Sequence, residues 1–159
     1  MIYITNFFLF FFCFCFICCH GKKEITKENR DKVSCVQDST FDSLIVKKHK
    51  WVDSTLYKPD DFDTLIFVFE NRINDSLIIC NGENILYKKR LYYNKSVGRV
   101  PFDIKITSNN LKDDFLDFYF VDSREFARVK IEEGHKYYYA VKLEKLLYIE
   151  FSEYMKVYR

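Results

Sequence analysis

The stretch Phe102-Asp103-Ile104-Lys105-Ile106-Thr107 puts an apolar side chain at every second position and a polar one between. A period of two is the mark of a β-strand that turns one face to a core and the other to water. Ala127-Arg128-Val129-Lys130-Ile131 repeats it, as does Leu147-Tyr148-Ile149-Glu150-Phe151. In Lys136-Tyr137-Tyr138-Tyr139-Ala140-Val141 the same rule assigns Tyr137, Tyr139 and Val141 to the core and Tyr138 to the opposite face. Leu65-Ile66-Phe67-Val68-Phe69 and Leu77-Ile78-Ile79-Cys80 are apolar throughout, which predicts central strands covered on both sides.

Turn residues separate these runs. Asn81-Gly82 lies between two of them and tolerates the positive φ of a tight hairpin, while Asn71 to Asp75, Ser108-Asn109-Asn110, Asp122-Ser123 and Glu132-Glu133-Gly134 divide the rest. Pro101 can open a strand, where its missing N–H does least harm. Ser43 to Trp51 contains Leu44-Ile45-Val46 ahead of a basic run, and its β-branched residues predict an edge strand. Residues 41–159 therefore read as one all-β domain, an antiparallel β-sandwich of immunoglobulin or transthyretin-like type with about seven or eight strands. No Cys…Trp…Cys pattern surrounds a central strand, which argues against an antibody-type domain.

Upstream the composition changes twice. Lys22 to Ser34 is dense in charge of both signs and poor in apolar residues, so residues 19–40 read as a solvated tether. Before it, Met1 to His20 holds no Lys, Arg, Asp or Glu and carries the run Phe7-Phe8-Leu9-Phe10-Phe11-Phe12-Cys13-Phe14-Cys15-Phe16-Ile17-Cys18. That run is shorter than the ~20 residues of a membrane span, and residues 1–18 read as an export signal peptide.

The end of the run, Phe16-Ile17-Cys18-Cys19, resembles a bacterial lipoprotein signal, in which an aliphatic residue and two small or apolar residues precede an invariant cysteine. The resemblance implies lipidation at Cys19, cleavage in front of it, and attachment of an exported domain to a bacterial membrane of the cell envelope. Phe16 stands where that family usually has Leu, and no Lys or Arg opens the chain. A second reading takes Cys19-His20-Gly21 as a small-x-small cleavage site that releases a soluble secreted protein. A third keeps the run as an uncleaved anchor, with Lys22 and Lys23 holding the remainder in the cytoplasm. With its charged tether, its run of short strands and the tyrosine-rich Lys136-Tyr137-Tyr138-Tyr139, most of the mature chain loosely resembles the small all-β lipoproteins of unknown function found in AT-rich bacterial genomes, a likeness that has no specific motif and implies no activity.

Of the 6 cysteines, Cys35 and Cys80 remain once the signal and the lipidated residue are set aside. In an oxidising compartment they can pair as a disulfide. The simpler reading leaves Cys80 as a small buried side chain and Cys35 as a free thiol.

Chemistry-bearing motifs are sparse. No Gly-rich phosphate loop, Gly-x-Ser-x-Gly or His-Glu-x-x-His occurs, and 4 glycines give little material for a backbone phosphate cradle. The acid pairs Asp60-Asp61, Asp113-Asp114 and Glu132-Glu133 lack calcium-loop spacing, so no metal or other cofactor is expected. With 25 basic against 23 acidic residues interspersed, no nucleic-acid footprint is visible. Aromatics off the assigned core faces, Tyr92, Tyr93 and Tyr138, are the candidate binding surface, since tyrosine joins apolar area to a hydroxyl. The expected function is a non-catalytic envelope lipoprotein that binds a protein or glycan, with a soluble inhibitor or immunity-type protein as the alternative. Cells labelled with an alkyne fatty acid should mark the wild type and not Cys19→Ser. Equal labelling of the two would exclude lipidation at Cys19.

Overall fold

Alternating side chains can be buried only if the sheet they build finds a second apolar layer, and here two sheets supply each other's. The computed structural model describes Cys35, residues 40–53 and residues 63–157; the assigned signal, Cys19 and most of the tether lie outside the described residues. Among the described residues the strands are β1 (Asp42–Ser43), β2 (Ile45–Lys50), β3 (Thr64–Phe69), β4 (Asn74–Asn81), β5 (Asn84–Tyr92), β6 (Ile104–Thr107), β7 (Phe115–Phe120), β8 (Glu125–Lys130), β9 (Tyr137–Leu143) and β10 (Leu146–Ser152). One sheet has the order β1-β8-β7-β4-β5 and the other β2-β10-β9-β3-β6. Leu77, Ile79, Phe118 and Val129 of the first sheet share one buried cluster with Phe67, Ile104, Ala140 and Ile149 of the second. Phe67 meets Phe118 edge to face at 5.4 Å, and Phe69 meets Phe120 at 6.3 Å. The period-two assignment of Ile104, Ile106, Ala127, Val129, Leu147 and Ile149 to the core agrees with this packing.

Strand number and direction differ from expectation. There are ten strands in place of seven or eight, and both sheets are mixed: β1 with β8, β2 with β10 and β3 with β9 run parallel. Periodicity reports which face a residue takes and carries no information on strand direction, which depends on how the connections cross. The expected edge strand at Ser43–Trp51 is divided between the sheets. Asp42 and Ser43 pair with β8, buried Leu44 crosses between the layers, and β2 continues along β10 at the opposite sheet's edge.

The largest departure is at β9. Tyr138, expected off the core, is 0% exposed and stacks on Phe67 at 4.9 Å, whereas Tyr137 and Tyr139 lie on the outer face of the sheet with Val68. Both faces of β9 are covered, the inner one by the other sheet and the outer one by Trp51 and Lys156 over Tyr139, and Tyr137 to Ala140 are all buried. Where both faces are apolar, alternation cannot say which one is inner. The register decides it: Tyr138 stands opposite Phe67 on one side and Phe151 on the other, and directly opposed residues share a face.

Each sheet also carries a smaller cluster on its outer face. On the first sheet Ile78, Cys80, Tyr119 and Phe126 gather with Phe41, and a disulfide joins Cys80 to Cys35. Cys35, which composition assigned to the tether, is thus drawn onto the sheet. A cross-link spanning 45 residues restricts the unfolded chain by about 4 kcal/mol in the chain-entropy picture. On the second sheet Lys156 lies 4.5 Å over the Tyr139 ring and 5.7 Å over Trp51, and pairs with Glu150 and, at 3.3 Å, with Glu70. Its backbone N–H donates to the Tyr139 hydroxyl oxygen at 2.5 Å, which fastens the C-terminal segment across that face.

Ile104→Asp or Ile149→Asp should each cost several kcal/mol, because both positions are buried between the sheets and a carboxylate there has no partner. Lys105→Asp, one residue along on the exposed face, should stay within about 0.5 kcal/mol. Denaturant unfolding followed by fluorescence of Trp51, the sole tryptophan, measures all three. Equal losses for Ile104→Asp and Lys105→Asp would contradict the register.

Candidate binding surface

β5 ends the first sheet, with β4 on one side and no described strand on the other. The Asn81-Gly82 turn that launches it has Gly82 at φ 58°, a backbone conformation that side-chain-bearing residues rarely take. Asn81 is itself buried and serves as a connector: its Nδ2 donates to the Phe115 carbonyl at 2.7 Å and to Asp113 Oδ1 at 2.9 Å, tying the hairpin to the start of β7. The pairing slips between Ile79 and Cys80, leaving Leu86 as the extra residue of a bulge. Ile85 on its near side is 51% exposed.

Two of the three tyrosines singled out by alternation lie at the far end of this strand. Tyr92 is 50% exposed and meets Phe102 edge to face at 5.8 Å; Arg72 lies over the Tyr93 ring at 5.6 Å, and Lys89 over Phe102 at 5.7 Å. Tyr138 belongs elsewhere. Its hydroxyl donates to the Glu132 carbonyl at 3.1 Å and accepts from the Glu132 N–H at 3.1 Å, so it pins the β8–β9 connection from within the core. A side chain with no exposed area cannot meet a partner, and Tyr138 is withdrawn from the binding surface.

Charge marks the same flank. From Asn84 to Phe102 the chain has Lys88, Lys89, Arg90, Lys95 and Arg99 and no Asp or Glu, in a protein whose charges otherwise nearly balance. Arg90 is matched by Asp122 at 2.9 Å and Arg99 by Asp103 at 2.6 Å. Lys88, Lys89 and Lys95 are exposed and make no ion pair with a described residue. Lys88, Arg90 and Tyr92 share the outer face with Ile78, Ser76 and Asn74, while Lys89 stands opposite Leu77 on the inner face. Lys88-Lys89-Arg90 taken alone is an ordinary solvated strand face; the absence of acid from Asn84 to Phe102 is the sequence signal that sets it apart.

Acids collect at the other end of the domain. Asp113, Asp114, Glu132 and Glu133, read separately in the sequence, line one cleft of about 540 Å³ with Lys112 and Lys130. Lys48 pairs with Glu132 and holds its carboxyl below the usual carboxylate range. Among the described residues no His, Cys, Asp and Glu group has the arrangement of a metal site; Asp60 and Asp61 lie outside them. His49 is exposed on β2, and the His135 ring packs against Phe151 at 4.9 Å while its Nδ1–H donates to the Glu133 carbonyl at 2.8 Å. Comparison with protein-family models, with curated proteins and with solved structures finds no match to this chain. Among the described residues no helix is long and apolar enough to cross a membrane.

Tyr87, midway along β5, has a buried hydroxyl with no hydrogen-bond partner among the described residues, and burial pushes its pKa up to about 12. Burial likewise raises Tyr138 and Tyr139. All three release their protons near pH 10 once unfolded, so their contribution is intact below about pH 10 and is lost as pH rises from there toward the folded values. Urea midpoints should hold steady between about pH 8 and 9.5 and fall between about pH 10 and 12. Tyr87→Phe, which removes the unpartnered hydroxyl, should leave stability at neutral pH equal or higher and flatten part of that alkaline fall. An unchanged alkaline profile in Tyr87→Phe would show that this phenol is not buried as described.

Proposed function

We propose that this chain is a non-catalytic envelope lipoprotein, lipidated at Cys19, whose β-sandwich of immunoglobulin or transthyretin-like type binds a protein along the β5 flank. The observation that carries the reading is the coincidence, on one sheet edge with no described strand beyond it, of an exposed aromatic and of exposed cations that make no ion pair with a described residue. Edge strands add a partner strand through main-chain hydrogen bonds and take specificity from alternate side chains. A glycan is the less favoured ligand. Sugar rings stack on open aromatic faces, and here cations already lie over the rings of Tyr93 and Phe102, leaving Tyr92 alone available. The paired Cys35 and Cys80 suit an exported protein, since such bonds persist in oxidising compartments.

A photo-crosslinking residue placed at Tyr92 in the cell that makes the protein should capture a discrete protein adduct. The same residue at Lys112, in the acidic cleft at the other end, should not. Adducts at Lys112 alone would move the site to that end, and glycan-array binding lost in Tyr92→Ala would make the ligand a carbohydrate.

A further inference from the structure

An edge strand that must stay solitary is protected by short length, bulges, proline or charge pointing along it. β5 is nine residues long, and its bulge lies near the Ile85 end, so the run from Tyr87 to Tyr92 is regular and pairs with no described strand on its outer side. Apart from Arg90, which Asp122 neutralises, lysine guards that run, and lysine deters cationic strands by repulsion and neutral ones by the cost of desolvating its charge. A strand bearing carboxylates meets attraction in place of repulsion. Resting on the reading of β5 as a protein-binding edge, we propose that its partner is an extended acidic segment that adds as a sixth strand to this sheet.

Geometry narrows the chemistry of the segment. Lys88 and Lys89 point to opposite faces of the sheet, as their partners Ile78 and Leu77 do. Opposite them, an incoming strand needs carboxylates at two successive positions, one on each face. The exposed apolar groups stand at the two ends of β5, Ile85 at one and Tyr92 at the other, so apolar residues are called for on either side of the acidic pair. Arg90 is already neutralised by Asp122, and it adds no demand for a further carboxylate. A planar anionic surface such as a bilayer would engage the cations without using the free main chain. A linear segment uses both.

The test is selection of a random-peptide display library on the full chain held in mild detergent, with synthetic versions of the enriched peptides titrated by fluorescence anisotropy. Enriched peptides should carry adjacent Glu or Asp flanked by apolar residues. The double charge reversal Lys88→Glu with Lys89→Glu should weaken them about tenfold or more, and added salt should weaken binding to the wild type. Both lysines are exposed, and unchanged Trp51 fluorescence confirms that the variant is folded. Acidic peptides that bind the variant as well as the wild type would overturn the proposal, as would a selection that yields no acidic family. Neutral peptides whose binding is lost in Tyr92→Ala would overturn the acidic partner while leaving a protein-binding edge. Phosphatidylglycerol vesicles that bind the wild type and not the variant, with no peptide selected, would overturn both and make the flank a membrane contact.

Discussion

The contact on which the rest of the molecule depends is Phe67, held at 0% exposure between Tyr138 of its own sheet and Phe118 of the other. Burial of such a ring is worth roughly 2–3 kcal/mol, and a well-oriented aromatic pair adds about 0.5–1.5 kcal/mol. More than energy is at stake. The stacked pair sets the parallel register of β3 on β9, and the edge-to-face pair sets how the two sheets face one another. Through its hydroxyl, Tyr138 then holds the Glu132 backbone and so the turn that brings β9 back from β8.

Because the inner layer is closed in this way, apolar residues on the outer faces need other cover. The first sheet obtains it from the segment carrying Phe41 and the disulfide-linked Cys35. The second obtains it from the C-terminal segment, where Lys156 meets two aromatic rings and two carboxylates at once. A partly buried ammonium is tolerated there because opposite charge and ring faces replace its water. Cys35 and Phe41 on one side and Lys156 on the other thereby serve the outer faces. The β5 edge has no described strand beside it to do the same.

That division of labour gives the flank its character. Cations neutralised by neighbours, such as Arg90 and Arg99, brace the hairpin and the loop that follows it. Lys88 and Tyr92 stand on the outer face and Lys89 on the inner one, all on a strand whose register is fixed by β4 behind it. A surface mounted on a regular strand is pre-organised, and association then costs less ordering entropy than a loop would demand.

Much of this was legible in the residues alone. Period-two alternation identified the core faces of the strands around Ile104, Val129 and Ile149, and unbroken apolar runs identified β3 and β4 as interior strands, because these are local consequences of one dry face or two. Tyr92 and Tyr93 were marked by falling outside the alternation. Tyr138 was misassigned for a physical reason: on a strand buried on both sides every residue is apolar or amphipathic, so only its neighbours' register says which face is inner. Strand direction, the division of the first strand between two sheets, and the approach of Cys35 to Cys80 across 45 residues were likewise decided by tertiary structure. Each of these depends on long-range pairing, and a pattern confined to neighbouring residues holds no record of it.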